Sequence, residues 1–175
     1  MSEQQVEKLA VEAAEFMRSR YFGKYRGLVQ DVSDPENMGR IVARVPEVYG
    51  DEDSPWALPV VPFAGKEHGL VLLPETGDGV WIEFEAGDPS RPIWTGCWWA
   101  SGEMPAPGGT ATRVLVTSGG HKVILDDDGN KLQLLHSGGS EITMTDNEIK
   151  LKIGSTQIVL SASGVSINNG AFEVK

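Results

Sequence analysis

The sequence contains a single cysteine, Cys97, so no disulfide can form within the chain. Its neighbours Trp94, Trp98 and Trp99 are apolar, which predicts a buried, inert thiol. Basic residues are scarce: 15 Lys and Arg stand against 25 Asp and Glu, for a net charge of -10. A nucleic-acid or anionic-membrane surface needs clustered Lys and Arg, so that balance argues against both. No apolar run approaches the roughly 18 residues that a membrane-spanning helix needs. The opening Met1-Ser-Glu-Gln-Gln-Val-Glu lacks the apolar stretch of a secretory signal. The expectation is a soluble product made in the cytoplasm without a signal peptide. There are only three histidines, His68, His121 and His136, and none forms a His-x-His pair.

What the sequence does contain is a repeat. From Gly120 to Lys175, two apolar residues one position apart recur seven times, each pair followed by a short polar or glycine turn. The pairs are Val123/Leu125, Leu132/Leu134, Ile142/Met144, Ile149/Leu151, Ile158/Leu160, Val165/Ile167 and Phe172/Val174. Apolar residues at i and i+2 mark a strand with one buried face. Strands that bury two side chains each cannot build a core alone, and repeat units become stable only by stacking on neighbours. Association of several copies, with these faces meeting around an axis, is the simplest solution. An elongated oligomeric β-structure follows, which points to mechanics rather than catalysis.

Two further segments precede the repeat. Residues 3–20 read as an amphipathic helix, with Val6, Leu9, Ala10, Ala13, Phe16 and Met17 at helical spacing and Ser2, Glu3 and Gln5 suited to its start. Such a helix either packs on its own domain or docks on a neighbouring subunit. Residues 23–100 are β-rich, with strands expected at Tyr25–Val32, Arg40–Val45, Ala57–Val61, Gly69–Leu73, Val80–Glu85 and Ile93–Trp98. Short strands at this spacing suggest a small closed or partly open barrel. The Gly/Pro-rich stretch 101–112 reads as a linker. The expected division is therefore a helix at 1–22, a barrel at 23–100, a linker at 101–112 and the repeat at 113–175.

Candidates for chemistry are weak. Glu83 and Glu85 alternate along a strand as a solvated face does, and Asp126–Asp128 precedes a Gly129-Asn130 turn. Asp126, Asp128 and Asn130 resemble the start of a calcium loop, but glycine is misplaced and no distal Glu completes it. Ser118, His121 and Asp126 lie along one short segment without a nucleophile elbow, so they make no credible triad. No enzyme activity and no cofactor are expected. His121 and His136 are the weak metal candidates, because a threefold axis turns one histidine per chain into three ligands. Within 23–100, Tyr25, Trp56, Trp81, Trp94, Trp98 and Trp99 supply the aromatics of a single-strand binder. The basic groove is missing: six Lys or Arg are outnumbered about two to one by Asp and Glu.

Several motifs, taken in order, resemble the oligonucleotide/oligosaccharide-binding (OB) domain of phage baseplate assembly protein V and its VgrG-like relatives. They are Tyr25-Arg-Gly-Leu-Val, Asp34-Pro35 with Gly39-Arg-Ile-Val-Ala-Arg-Val-Pro46, Trp56-Ala-Leu-Pro-Val-Val-Pro, Pro74-Glu-Thr-Gly-Asp-Gly-Val-Trp-Ile-Glu-Phe84, and Gly87-Asp-Pro through Pro92-Ile-Trp-Thr-Gly96. Ser118-Gly-Gly-His-Lys-Val-Ile-Leu-Asp-Asp127 is similar to the start of that family's triple-stranded β-helix. The resemblance implies an all-β chain with an N-terminal helix, an OB barrel and an intertwined needle, assembled as a homotrimer. The implied role is structural: the central spike of a phage tail, tailocin or extracellular injection system, acting outside the producing cell and piercing a target envelope. The seven pairs would form the trimer core. The end at Phe172 and Val174 would take a PAAR-type tip protein, and a baseplate hub protein would sit at the N-terminal end. Neither a hub nor a lysozyme domain is present, so both functions are expected from other chains. The competing reading is an OB-type glycan- or nucleic-acid-binding module on an oligomerisation stalk.

Overall fold

The computed structural model describes residues 2–174 and divides into two compact units, Met1–Ala100 and Ser101–Lys175. In the first unit, helix α1 spans Glu3–Arg18. Ser2 caps it: its hydroxyl accepts from the Gln5 amide, while the Gln5 side chain accepts from the Ser2 amide at 2.9 Å. No residue of α1 is buried. Of the two settings expected for this helix, packing on its own domain is therefore the one not observed.

Strand β1 (Tyr25–Asp31) is followed by β2 (Val42–Arg44), a one-turn helix α2 (Pro46–Tyr49), and β3 (Leu58–Pro59). A small hairpin, β4 (Ala64–Gly65) and β5 (His68–Gly69), precedes the long strands β6 (Gly79–Phe84) and β7 (Pro92–Trp98). The main sheet runs β2-β1-β6-β7-β3, antiparallel except for β3 beside β7. Bridges Ile41↔Ala57 and Arg44↔Asp53 bring its two ends together, so the sheet curls into an OB-like barrel. Strand β6 shows why. Val80, Ile82 and Phe84 are buried while Trp81 and Glu83 face outward, the period-2 alternation of a wall with one dry side. With Val29, Ile41, Ala43, Val45, Ala57 and Trp94 they form the core. The one buried polar side chain described, Ser54, is satisfied: its Oγ accepts from the Ala43 amide at 3.0 Å and donates to the Pro55 carbonyl at 2.8 Å. Gly79 is required by packing, because a Cβ there would sit 2.5 Å from Cε2 of Trp98.

Two expectations fail in this unit. Gly69–Leu73 does not continue as a strand; Leu70–Leu73 pair with no strand among the described residues. Cys97 is exposed rather than buried. A register shift against β6 sets Trp94, Thr95, Gly96 and Cys97 against only Ile82 to Val80, which breaks the alternation before the cysteine.

The second unit is an antiparallel meander of eight strands: β8 (Thr112–Val116), β9 (Lys122–Asp126), β10 (Lys131–Leu135), β11 (Glu141–Met144), β12 (Glu148–Ile153), β13 (Thr156–Ser161), β14 (Gly164–Ile167) and β15 (Phe172–Val174). Each strand hydrogen-bonds to the next in sequence, so the backbone ladder closes within one chain. Strand β8 is an addition to the seven apolar pairs; its Arg113 and Leu115 share a face, so it shows no apolar doublet there. The stretch before it is tied down rather than free. Lys122 donates to the Ala106 carbonyl at 3.0 Å, and the Gly109 amide donates to the Thr112 carbonyl at 3.0 Å.

Candidate functional site

The register of the meander places the apolar pairs in two columns on one face. Val123, Leu134, Ile142, Leu151, Ile158, Ile167 and Phe172 are opposite one another in turn, as are Leu125, Leu132, Met144, Ile149, Leu160, Val165 and Val174. Leu115 and Ile153 extend the same face, and neither is among the seven pairs. Directly opposed side chains on a sheet stack about 4.5–5.5 Å apart, so this is a continuous apolar surface. Within one chain it remains open. Leu115, Leu125, Leu132, Leu134, Ile142, Met144, Leu151, Ile158, Leu160, Phe172 and Val174 are all exposed, Phe172 by 60%. Among the described residues the one buried apolar side chain of this unit is Ile124, on the other face.

That other face is mixed: Val114, Val116, Ile124, Leu135 and Val159 lie on it among charged and polar side chains that pair with one another. Lys131 lies opposite Asp126 with Nζ 3.8 Å from its carboxylate, Lys152 opposite Glu141 at 3.9 Å, and Gln133 donates to Thr143 Oγ1 at 3.2 Å. Lys150 pairs with Glu148 at 2.9 Å, and that hydrogen bond raises the pKa of its ammonium. The first three are cross-strand pairs and Lys150–Glu148 runs along β12 itself; all are in contact with water, each is worth little alone, and their presence identifies the solvent side. The opposite, apolar side has no such provision.

His121 and His136 continue the apolar face beyond Val123 and Leu134, and their ring centroids lie 4.6 Å apart. The structure thus brings together the two weak metal candidates. In each ring Nδ1 is already engaged: it accepts from the Ser137 amide at 3.3 Å in His121 and from the Gly138 amide at 2.9 Å in His136. Among the described residues no three His, Cys, Asp or Glu side chains cluster as metal ligands do. The acidic candidates are likewise engaged structurally. Glu83 pairs with Lys24 at 2.8 Å, Glu85 with Arg91, Asp127 with Arg113, and Asp126 accepts from the Gly129 amide at 3.0 Å as a turn carboxylate. The hydroxyl and amide of Ser90, with Arg20, hold the Asp88 carboxyl below the usual carboxylate range.

On the barrel unit most of the candidate aromatics are occupied; Trp99 is the exception, 63% exposed. Arg26 lies over both Trp81 and Trp98, at 5.4 and 5.1 Å from the ring centroids, and Arg40 lies over Trp56 at 5.6 Å. Trp94 is buried and donates Nε1–H to the Gly39 carbonyl at 3.1 Å; Trp98 Nε1–H goes to the Val80 carbonyl. Tyr21, Tyr25 and Tyr49 cluster around Phe84. Tyr49 donates to the Pro89 carbonyl at 2.6 Å, and burial, with the Asp88 charge, pushes its phenol up to about 12. Faces capped by the chain's own arginines do not form a stacking platform for bases, so the binding-module reading gains nothing from these tryptophans. Cys97 is exposed as a residue, yet partial desolvation of its thiol, with the Asp78 carboxylate, raises its pKa and makes it a poor nucleophile. No helix of the described residues is long and apolar enough to cross a membrane.

Comparison with known families gives two adjacent matches. Residues 25–99 match the OB domain of the type VI secretion system and phage-baseplate injector, and residues 112–173 match the phage baseplate V C-terminal trimerisation domain. Together they span most of the chain. The second match falls on the meander with the open apolar face, and it supports a homotrimer.

Proposed function

The chain belongs to the phage baseplate V family of structural injection-machine proteins, and from that premise we propose that it is the central spike that pierces the target envelope. The observation that carries this reading is the apolar face. It has two aligned columns along consecutive strands, half-open in one chain and backed by a face that carries the charged pairs. Three such sheets packed face to face around an axis bury the columns and leave the charged faces outside. In this reading Val123, Leu125, Leu132, Leu134, Ile142, Met144, Ile149, Leu151, Ile158, Leu160, Val165 and Ile167 are the trimer core.

The mechanism is mechanical. Sheath contraction supplies force, and a thin, stiff trimer concentrates it on a small area of membrane. Register resists shear, because a slip by one residue turns every apolar side chain to the charged face. Full burial of each core side chain contributes about 1.5–3 kcal/mol. Unfolding requires many of these contacts to open together, so the working stability is a rate. The final strand β15, with Phe172 and Val174 exposed and one edge unpaired, is the end that takes a PAAR-type tip protein. Helix α1, whose Val6, Leu9, Phe16 and Met17 are all about half exposed, is the end that docks on the baseplate hub. No catalytic step belongs to this role.

Complementation tests it. Particles assembled without the chain should fail to permeabilise target cells, and supplying the wild-type chain, but not Ile158→Asp, should restore them. Equal permeabilisation without the chain contradicts the proposal.

A further inference from the structure

The trimer just described leaves one apolar surface of the barrel unit without a role. Every residue from 62 to 73 is exposed, between Val61 and the buried Pro74. This arm folds back on itself at Lys66 and Glu67, with Ala64–Gly65 paired to His68–Gly69. It then runs through Leu70, Val71, Leu72 and Leu73, exposed by 40, 78, 54 and 45%. Phe63 (57%), Val60 (53%) and Met38 (49%) are similarly exposed nearby in sequence or around the same groove. Leu73 lies near Gly39 of its own barrel, where a Cβ would be 3.3 Å from Leu73 Cδ2. Leu70 to Leu73 are four exposed apolar residues in succession; the Leu70 amide donates to the Phe63 carbonyl at 3.3 Å, and 71–73 pair with no strand among the described residues, so the run calls for cover.

We infer that this arm, residues 62–73, is an inter-subunit clasp that lies against the barrel of a second copy of the same chain. The inference rests on the trimeric spike reading. Two observations select a second copy over another protein. First, the trimerisation domain gathers three copies, and the chain from Trp98 to Thr112 can span at most about 50 Å, so a second barrel is held within reach at high effective concentration. Secondly, the barrel unit is acidic and repels its own copies, while the arm's Lys and Glu, one of each, balance. It is the part of the barrel that another copy approaches without a like-charge penalty. Extended apolar segments of this kind bind by adding a strand to a neighbour or by filling its grooves.

The test uses the full-length chain with Val71→p-benzoylphenylalanine, irradiated after its mass has been measured by light scattering. The expected result is a trimer that yields covalent two- and three-chain species, with adducts mapping to residues 20–100 of a second copy. Trimers that yield only single-chain adducts overturn the clasp while leaving the spike reading intact. A monomeric mass overturns both.

Discussion

Ile149→Asp tests the apolar face at its middle. Ile149 lies opposite Met144 on one side and Leu160 on the other, so the substitution is flanked by apolar neighbours. Losing a buried isoleucine costs about 2 kcal/mol per copy. A carboxylate left unpaired in an apolar interface costs about 3 kcal/mol more. Symmetry repeats the defect, so the trimer loses about 15 kcal/mol, which equals or exceeds the typical stability of about 5–15 kcal/mol of a folded domain. Ser166→Asp, on the charged face opposite Val159, is the matched control. Size exclusion with light scattering on the three proteins should give trimers for the wild type and Ser166→Asp and no trimer for Ile149→Asp. A heat-resistant Ile149→Asp trimer would refute the assignment of this face to the trimer core.

Three other outcomes follow from the same geometry. Trp94→Ala removes a core indole and its bond to Gly39; it should cost the barrel unit about 3–5 kcal/mol, read as a lowered melting transition, while the trimer mass is unchanged. Asp34 accepts from Arg40 and from the amides of Glu36, Met38 and Arg40, and chiefly the Arg40 bond holds its carboxyl far below the usual range. A folded-state pKa below the unfolded value of about 3.9 gives stability that is present above that pH and declines as pH falls below it. Melting of the barrel should therefore weaken below about pH 4, and Asp34→Asn should be less stable at neutral pH with a flatter acid limb. Phe172→Asp, at the last strand, should leave a trimer in light scattering but abolish co-purification of the tip protein proposed for that end.

The repeat was legible in the sequence because it obeys one local rule. Each i, i+2 doublet became a strand, and the antiparallel register set doublet against doublet. The first strand was not legible, because Arg113 and Leu115 occupy its apolar face while Val114 and Val116 point the other way. Ile153 was missed because it stands alone beyond the doublet of β12. In the barrel, Val80, Ile82 and Phe84 alternated as a wall should. Leu70–Leu73 misled for a physical reason: an apolar run predicts burial but does not say whether the cover comes from the same chain. Cys97 misled because a register shift, invisible in composition, turns it outward. The histidines were singled out for a symmetry argument, yet their placement side by side on the apolar face depends on the β9–β10 register.

The central claim is that the open sheet face exists to be covered by two further copies. The solution mass of the purified wild-type chain, by light scattering coupled to size exclusion, tests it most directly. The expected mass is about 57 kDa, three times the 18.9 kDa chain, persisting on heating and in detergent. A particle of 18.9 kDa at micromolar concentration would contradict it.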